Sequence, residues 1–186
     1  MNIYIIMLIW SQQFQNRFAF ANCIENTQFI QQVEAKIRGN YLDVASEKNG
    51  AIISTARTIN FYYPDSLASP LRDRIYFYTD SDYYVGHVYF VLYLSLIIEL
   101  TQPYEINLVR FRIWDWDNRI ADLQIFIIGS DRITETQIYN GFAQSIKEVR
   151  FPDQLVTKIK FYNKNGTSFT GHKLLSFIKV QAFYQL

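Results

Sequence analysis

Apolar and polar side chains alternate most cleanly between Leu108 and Trp114. The even-numbered side chains of this segment would face one side of a strand, and Val109, Phe111 and Ile113 the other. Further strands are predicted at 74–78, 123–128, 145–151, 155–162 and 176–183. Turns are predicted at 129–131 and at the Asn-Lys-Asn-Gly sequence of 163–166. Short strands separated by turn-forming residues indicate an antiparallel sandwich or barrel.

Two other segments have different patterns. The segment 28–38 places its apolar residues at helical spacing between an Asn-Thr pair and Gly39, which predicts one short N-terminal helix. The segment 60–74 contains two prolines and several Ser and Asp residues, and is predicted to be a loop.

The segment 85–98 is almost entirely apolar. It is too short for a transmembrane helix, which needs about 20 residues. It therefore indicates one fully buried strand, and no transmembrane span is expected.

Composition narrows the class of protein. The chain has 186 residues, of which 49% are hydrophobic and 17% aromatic, enough for the core of one domain and typical of strands. Lys and Arg number 18 against 17 Asp and Glu, giving a net charge of +1. A nucleic-acid partner is not expected, because such proteins present a basic surface.

The cysteine count and the N-terminus bear on location. Cys23 is the only cysteine, so no intrachain disulfide can form and a reducing, cytoplasmic location is favoured. An apolar run at 3–10 and Ala19-Phe20-Ala21 resemble parts of a signal peptide. No basic residue precedes the run, and a polar stretch separates it from the small residues. A buried strand or a misplaced start is therefore favoured, with secretion as the alternative.

Asp115 and Asp117 are the most suggestive pair of carboxylates. Their spacing suits a Ca²⁺ loop, but the glycine and distal glutamate of an EF-hand are absent. The favoured interpretation is structural: Asp117 pairs with Arg119 or caps a turn, and Trp114 packs in the core. Trp116 is either a binding anchor or a further core residue.

No other constellation suggests catalysis. His87 and His172 are the only histidines, too few for a metal site without further ligands, and no nucleophile motif or phosphate-binding glycine loop occurs. We therefore expect neither an enzyme nor a cofactor. Asn165-Gly166-Thr167 matches a glycosylation acceptor, but a hairpin turn is the preferred interpretation.

Two segments resemble a known family. Residues 41–69 (YLDVASEKNGAIISTARTINFYYPDSLAS) are similar to the opening of discoidin domains, also called coagulation factor V/VIII C-type domains. Residues 97–119 (IIELTQPYEINLVRFRIWDWDNR) resemble the discoidin-like domain that follows BTB and BACK domains in BTB/POZ domain-containing protein 9 and its relatives. The shared pattern is a Gln-Pro, an Ile-Asn and an alternating strand that ends in Trp-Asp-x-Asp-x-Arg.

The resemblance implies an all-β fold over residues 40–186. This is a discoidin-type antiparallel β-sandwich, a jelly roll of the galactose-binding-domain-like kind, preceded by a lead-in at 1–39 that holds the short N-terminal helix. Residues 85–96 interrupt the family pattern, so an insertion is predicted there. The 39 residues before the module are too few for a BTB or BACK domain.

The resemblance also implies recognition by loops at one end of the sandwich, here 58–64 and 79–84, whose tyrosines suit binding. The predicted ligand-binding residues are Tyr62, Tyr63, Asp82, Tyr83, Tyr84 and Trp116. The predicted structural corner consists of Trp114, Asp115, Asp117 and Arg119.

The functional expectation is a non-catalytic, intracellular module related to BTB adaptors that binds a protein or a small ligand. The main alternative is a secreted carbohydrate-binding domain, because the same sandwich occurs in lectins. Two further alternatives are a domain that binds membrane surfaces and the product of a defective gene model.

Overall fold

The computed structural model describes residues 42–62, 69–72, 86–115, 118–168 and 173–185. The predicted helix at 28–38 and strand at 74–78 lie outside these residues. The division of the chain into 1–39 and 40–186 stays a prediction.

The described residues form one antiparallel sheet of eight strands and a single 3-10 helix, Glu47–Asn49. The strands are β1 Ile52–Ile53, β2 Asn60–Tyr62, β3 His87–Phe90, β4 Ser95–Ile113, β5 Ala121–Gly129, β6 Glu135–Ala143, β7 Ile146–Thr167 and β8 Leu175–Phe183. Their order is β2-β3-β8-β4-β7-β5-β6, with β1 beside β4. The predicted all-β antiparallel fold is confirmed.

The sheet curls into two layers because its longest strands bend. Leu96 and Phe111 both lie on β4 and would be about 50 Å apart on a straight strand. Phe161 pairs with Leu96, yet its ring centroid lies 5.5 Å from that of Phe111. The pairing of β4 with β7 shifts between Glu99 and Tyr104 and again between Ile106 and Leu108, and such irregularities allow β4 to bend from one layer to the other. The result is a sandwich.

Aromatic side chains fill the space between the layers. Phe177 stacks on Phe90 at 6.0 Å and lies 4.7 Å from Phe161, measured between ring centroids, and all these rings are buried. Val109, Phe111 and Ile113 are also buried, so the predicted inner side of this strand is confirmed. The opposite side is partly covered as well, since Leu108 and Arg112 are buried.

Two short segments cover the free edge of β8. The Val44 amide donates to the Ala182 carbonyl at 3.0 Å, and the Val180 amide donates to the Pro70 carbonyl at 2.9 Å. The Ala182 amide in turn donates to Asp43 Oδ1 at 3.0 Å. These bonds satisfy backbone groups that an edge strand would otherwise leave open.

The prediction of a single buried strand over 85–98 is wrong. Its described part forms β3, an exposed turn at 91–94 and the start of β4. The Tyr93 amide donates to the Asn163 carbonyl, and the Asn163 amide donates to the Leu94 carbonyl, so a distant strand fixes the turn. Whether 85–96 is an insertion stays a prediction; β3 pairs with both β2 and β8.

Two other local predictions also need correction. Asn60–Tyr62, predicted as loop, is a strand that pairs with β3. The predicted hairpin turn at 163–166 lies inside β7, where Leu123 pairs with Asn163 but Asp122 pairs with Gly166. This register shift leaves Lys164 and Asn165 of β7 unmatched, so 163–166 contains a bulge and not a hairpin turn.

Candidate functional site

A row of aromatic rings crosses one end of the sandwich. The ring centroid of Tyr62 on β2 lies 5.0 Å from that of His87 on β3, and His87 lies 5.5 Å from Trp114, directly after β4. The Arg119 guanidinium sits over the Trp114 ring at 4.4 Å from its centroid. This distance is that of a cation–π interaction. We call these four residues the aromatic row.

Burial differs along the aromatic row. Tyr62 is 45% exposed, whereas His87 is buried and Trp114 and Arg119 are half-buried. The prediction that Trp114 packs in the core is therefore wrong. Trp114 continues the side of β4 that faces away from Phe111, where its ring lies beside that of His87, and it is not part of the buried core cluster.

The chain turns directly after Trp114. The Asn118 amide donates to the Asp115 carbonyl at 2.8 Å, and Asn118 has a φ of 57°. This geometry is compatible with a structural corner, although that role stays a prediction. Among the described residues, no group of three His, Cys, Asp or Glu side chains is placed to hold a metal ion.

Most of the predicted ligand-binding residues lie outside the described part of the chain. These are Tyr63, Asp82, Tyr83, Tyr84 and Trp116, and the same holds for Asp117 of the corner. The structure does place Tyr62 in the same row as Trp114 and Arg119. Tyr62 of the predicted binding loop and two residues of the predicted corner therefore belong to the same aromatic row.

An open groove is lined from Ile120 onward, the residue that follows Arg119 of the aromatic row in the sequence. Its volume is about 550 Å³, within the usual range of ligand sites. The start of β5, the end of β6 and the end of β7 form its walls. The residues that line it are Ile120, Asp122, Phe142, Asn165, Gly166, Thr167 and Ser168.

The polar part of the groove centres on Asp122, which is only 9% exposed. Its Oδ2 atom accepts a hydrogen bond from the Asn165 side-chain amide at 2.5 Å. Lys164 Nζ lies 4.0 Å from the Oδ1 atom and donates to Asn140 at 3.1 Å. A direct hydrogen bond thus holds the Asn165 amide against the Asp122 carboxylate.

The apolar part of the groove consists of two side chains that are exposed to solvent, Phe142 and Ile120. Phe142 is 69% exposed, although it is a phenylalanine at the end of a strand, and Ile120 is 42% exposed. The Tyr139 hydroxyl donates to the Phe142 carbonyl at 2.5 Å and holds the backbone there. The Thr167 hydroxyl is buried at the groove and has no hydrogen-bond partner among the described residues.

The sequence alone does not predict this groove. Its parts come from 120–122, 142 and 165–168, which share no motif. One signal is present in the sequence: Asp122 interrupts a largely apolar strand, and buried carboxylates need a partner or a function. In the sequence, Asn165 stands out only as part of a predicted turn or as an acceptor for glycosylation.

Neither protein-family models nor the curated proteins provide a match to this chain. Solved structures do match. The carbohydrate-binding module CBM32 of AlyQ, in complex with 4,5-unsaturated mannuronic acid, has 16% identity and a TM-score of 0.46, over 53% of this chain and 78% of that one. The family 32 module of NanJ from Clostridium perfringens, in complex with galactose, has 15% identity and a TM-score of 0.49, over 71% and 98%.

The structure of SpGH29 gives a TM-score of 0.54 at 12% identity. The match covers 77% of this chain, which spans 28% of SpGH29. At such low identity the similarity is one of fold alone.

A separate observation concerns membranes: none of the described residues belongs to a helix long and apolar enough to span a bilayer.

Proposed function

We propose that this protein is a non-catalytic module that binds a carbohydrate in the groove beside the aromatic row. One observation carries the proposal: an exposed phenylalanine ring, Phe142, shares a groove with the fixed polar pair Asp122 and Asn165. This favours the secreted carbohydrate-binding alternative over the intracellular adaptor that the resemblance suggested.

The side chains match the two kinds of surface on a sugar ring. A pyranose has an apolar face of C–H groups, which packs on an exposed aromatic ring and removes apolar area from water. Its edge carries hydroxyl groups, which donate to a carboxylate and accept from an amide. Phe142 provides the first surface, and Asp122 with Asn165 provides the second.

The described geometry does not favour catalysis in this groove. Asp122 is its only acidic lining residue among those described. General acid–base hydrolysis of a glycoside uses two carboxyl groups that flank the bond. The proposal rests on these side chains, because the carbohydrate-binding modules named above match the chain too loosely to support it.

The test is binding of the purified protein to an array of saccharides, followed by calorimetry on the saccharides that bind. Phe142→Ala is expected to weaken binding by about tenfold, because the aromatic platform is lost. Ile133→Ala is the matched control, since Ile133 is 82% exposed and lies beyond the opposite end of β5, about 25 Å away. Absence of saccharide binding by the unmodified protein, or equal effects of the two substitutions, refutes the proposal.

A further inference from the structure

We infer that the groove selects saccharides by charge, and that it binds neutral sugars in preference to acidic ones. The inference rests on the proposed function and narrows the class of ligand. It comes from the electrostatics of Asp122 and its neighbours.

The groove is lined by one charged side chain among the described residues, that of Asp122. The other lining residues are apolar or neutral and polar. Only 12% of the Asp122 side chain is exposed, so water screens its charge less than it screens a surface carboxylate. The one formal charge among the described lining side chains is therefore negative.

The neighbours of Asp122 compensate this charge only in part. Asn165 donates a hydrogen bond but brings no positive charge. Lys164 Nζ lies 4.0 Å from Oδ1, beyond hydrogen-bond distance, while it donates to Asn140 at 3.1 Å. Its side chain is also 39% exposed, which weakens its effect on the carboxylate.

This arrangement acts differently on neutral and acidic sugars. A hydroxyl group can donate a charge-assisted hydrogen bond to the Asp122 carboxylate, which is stronger than a bond between neutral groups. A sugar carboxylate has no proton to donate at neutral pH and places a second negative charge beside the first. Like charges brought together at a binding surface disfavour that partner.

The experiment uses matched pairs of tetrasaccharides: galactose with galacturonate, glucose with glucuronate, and mannose with mannuronate. Within each pair the ring stereochemistry is the same and only the group at C6 changes charge. Calorimetry on the full chain is expected to show that, in any pair that binds, the dissociation constant of the acidic member is at least about tenfold that of the neutral member. Raising the salt concentration should reduce this ratio of dissociation constants.

Two substitutions locate the cause of the preference. Asp122→Asn keeps the shape and removes the charge, so the ratio between neutral and acidic members should fall to about threefold or less. Lys164→Gln removes the partial compensation, so the ratio should widen. The second variant keeps the test decisive if the first also weakens the binding of neutral sugars.

The outcomes separate this inference from the proposed function. Acidic members that bind as tightly as neutral ones, or a Lys164→Gln ratio that narrows, overturn the charge selection and leave carbohydrate binding in place. Absence of binding to every pair by the unmodified protein counts against the proposed function itself. A neutral preference that shrinks in Asp122→Asn and widens in Lys164→Gln supports the inference.

Discussion

A buried ion pair holds the first described residues onto the sheet. Lys179 on β8 is 2% exposed, and its Nζ lies 3.7 Å from Asp43 Oδ2 and donates to the Arg72 carbonyl. Asp43 Oδ1 accepts hydrogen bonds from the amides of Ala45 and Ala182. A lysine this deeply buried requires such partners, so the pair fixes where residues 42–46 and 69–72 sit on β8.

Asp43 predicts a pH dependence of stability. Burial raises the pKa of Asp43 above its ordinary value of 3.8, although the Ala182 amide and the Lys179 ammonium oppose this shift. The folded state then holds the proton more tightly than the unfolded state between 3.8 and the raised pKa. Across that window the free energy of unfolding of the wild type should fall, relative to Asp43→Asn, as the pH rises. Urea denaturation at a series of acidic pH values measures this difference.

Asp131 supplies a control of opposite sign. The Thr134 hydroxyl and the amides of Ile133 and Thr134 donate to it and lower its pKa. The wild type should therefore lose stability relative to Asp131→Asn as the pH falls through the lowered pKa. Slopes of the same sign in both comparisons would contradict the assignment of Asp43.

The sequence indicates the buried Lys179–Asp43 pair only in part. Lys179 interrupts a final strand that is otherwise largely apolar, which signals a buried charge with a partner. The partner lies near the other end of the described chain, and no local pattern connects Asp43 with it. Asp122 and Asn165 show the same limit within the candidate site.

At the scale of elements, periodicity located strands better than it located their ends. The predicted strands at 145–151 and 155–162 belong to one strand, β7, that continues to Thr167. A bend or a bulge disturbs the alternation without ending the hydrogen-bonded ladder, because the chain goes on pairing with β4 and then with β5. Asn and Gly have the same local preferences in a bulge as in a turn.

We expect the single methyl group added by Gly166→Ala to have a large effect on stability. Its φ is 77°, and an added Cβ would lie 2.5 Å from Lys173 Cβ and 2.7 Å from Lys173 Cα. Gly166→Ala should therefore lower the free energy of unfolding by about 2 kcal/mol, through backbone strain and overpacking. Urea denaturation measures the change.

Gly129→Ala is the matched control for this substitution. Gly129 ends β5, and a Cβ there would meet only Asp131 Oδ1 at 3.5 Å, an ordinary contact. The change in the free energy of unfolding should stay within about 0.5 kcal/mol. Equal losses in the two variants would show that the close approach of Gly166 to Lys173 does not exist.

At the scale of the whole molecule, the two layers meet through the buried rings. Phe161→Ala should lower the free energy of unfolding by about 3–5 kcal/mol, because it leaves a cavity between Phe111 and Phe177. Phe142→Ala removes the same side chain from an exposed position and should cost within about 0.5 kcal/mol. Thermal and urea denaturation compare the two. A large loss in Phe142→Ala would place that ring in the core and not in a binding groove.

The candidate site is also a property of the whole molecule. Its groove needs β5 between β6 and β7, so that Asp122, Phe142 and Asn165 meet at one end of the sheet. The aromatic row needs β8 between β3 and β4, so that His87 reaches Trp114. Neither arrangement follows from any single segment.

The sequence by itself determined the all-β class and the inner side of the strand at 108–114, because alternation is a local property of an extended chain. Only the tertiary structure decided where β4 bends, that 163–166 is a bulge, and which polar and aromatic side chains share the groove. These features depend on which distant strands pair and in what register. Burial of the whole core selects that pairing, and the pattern within one strand does not encode it.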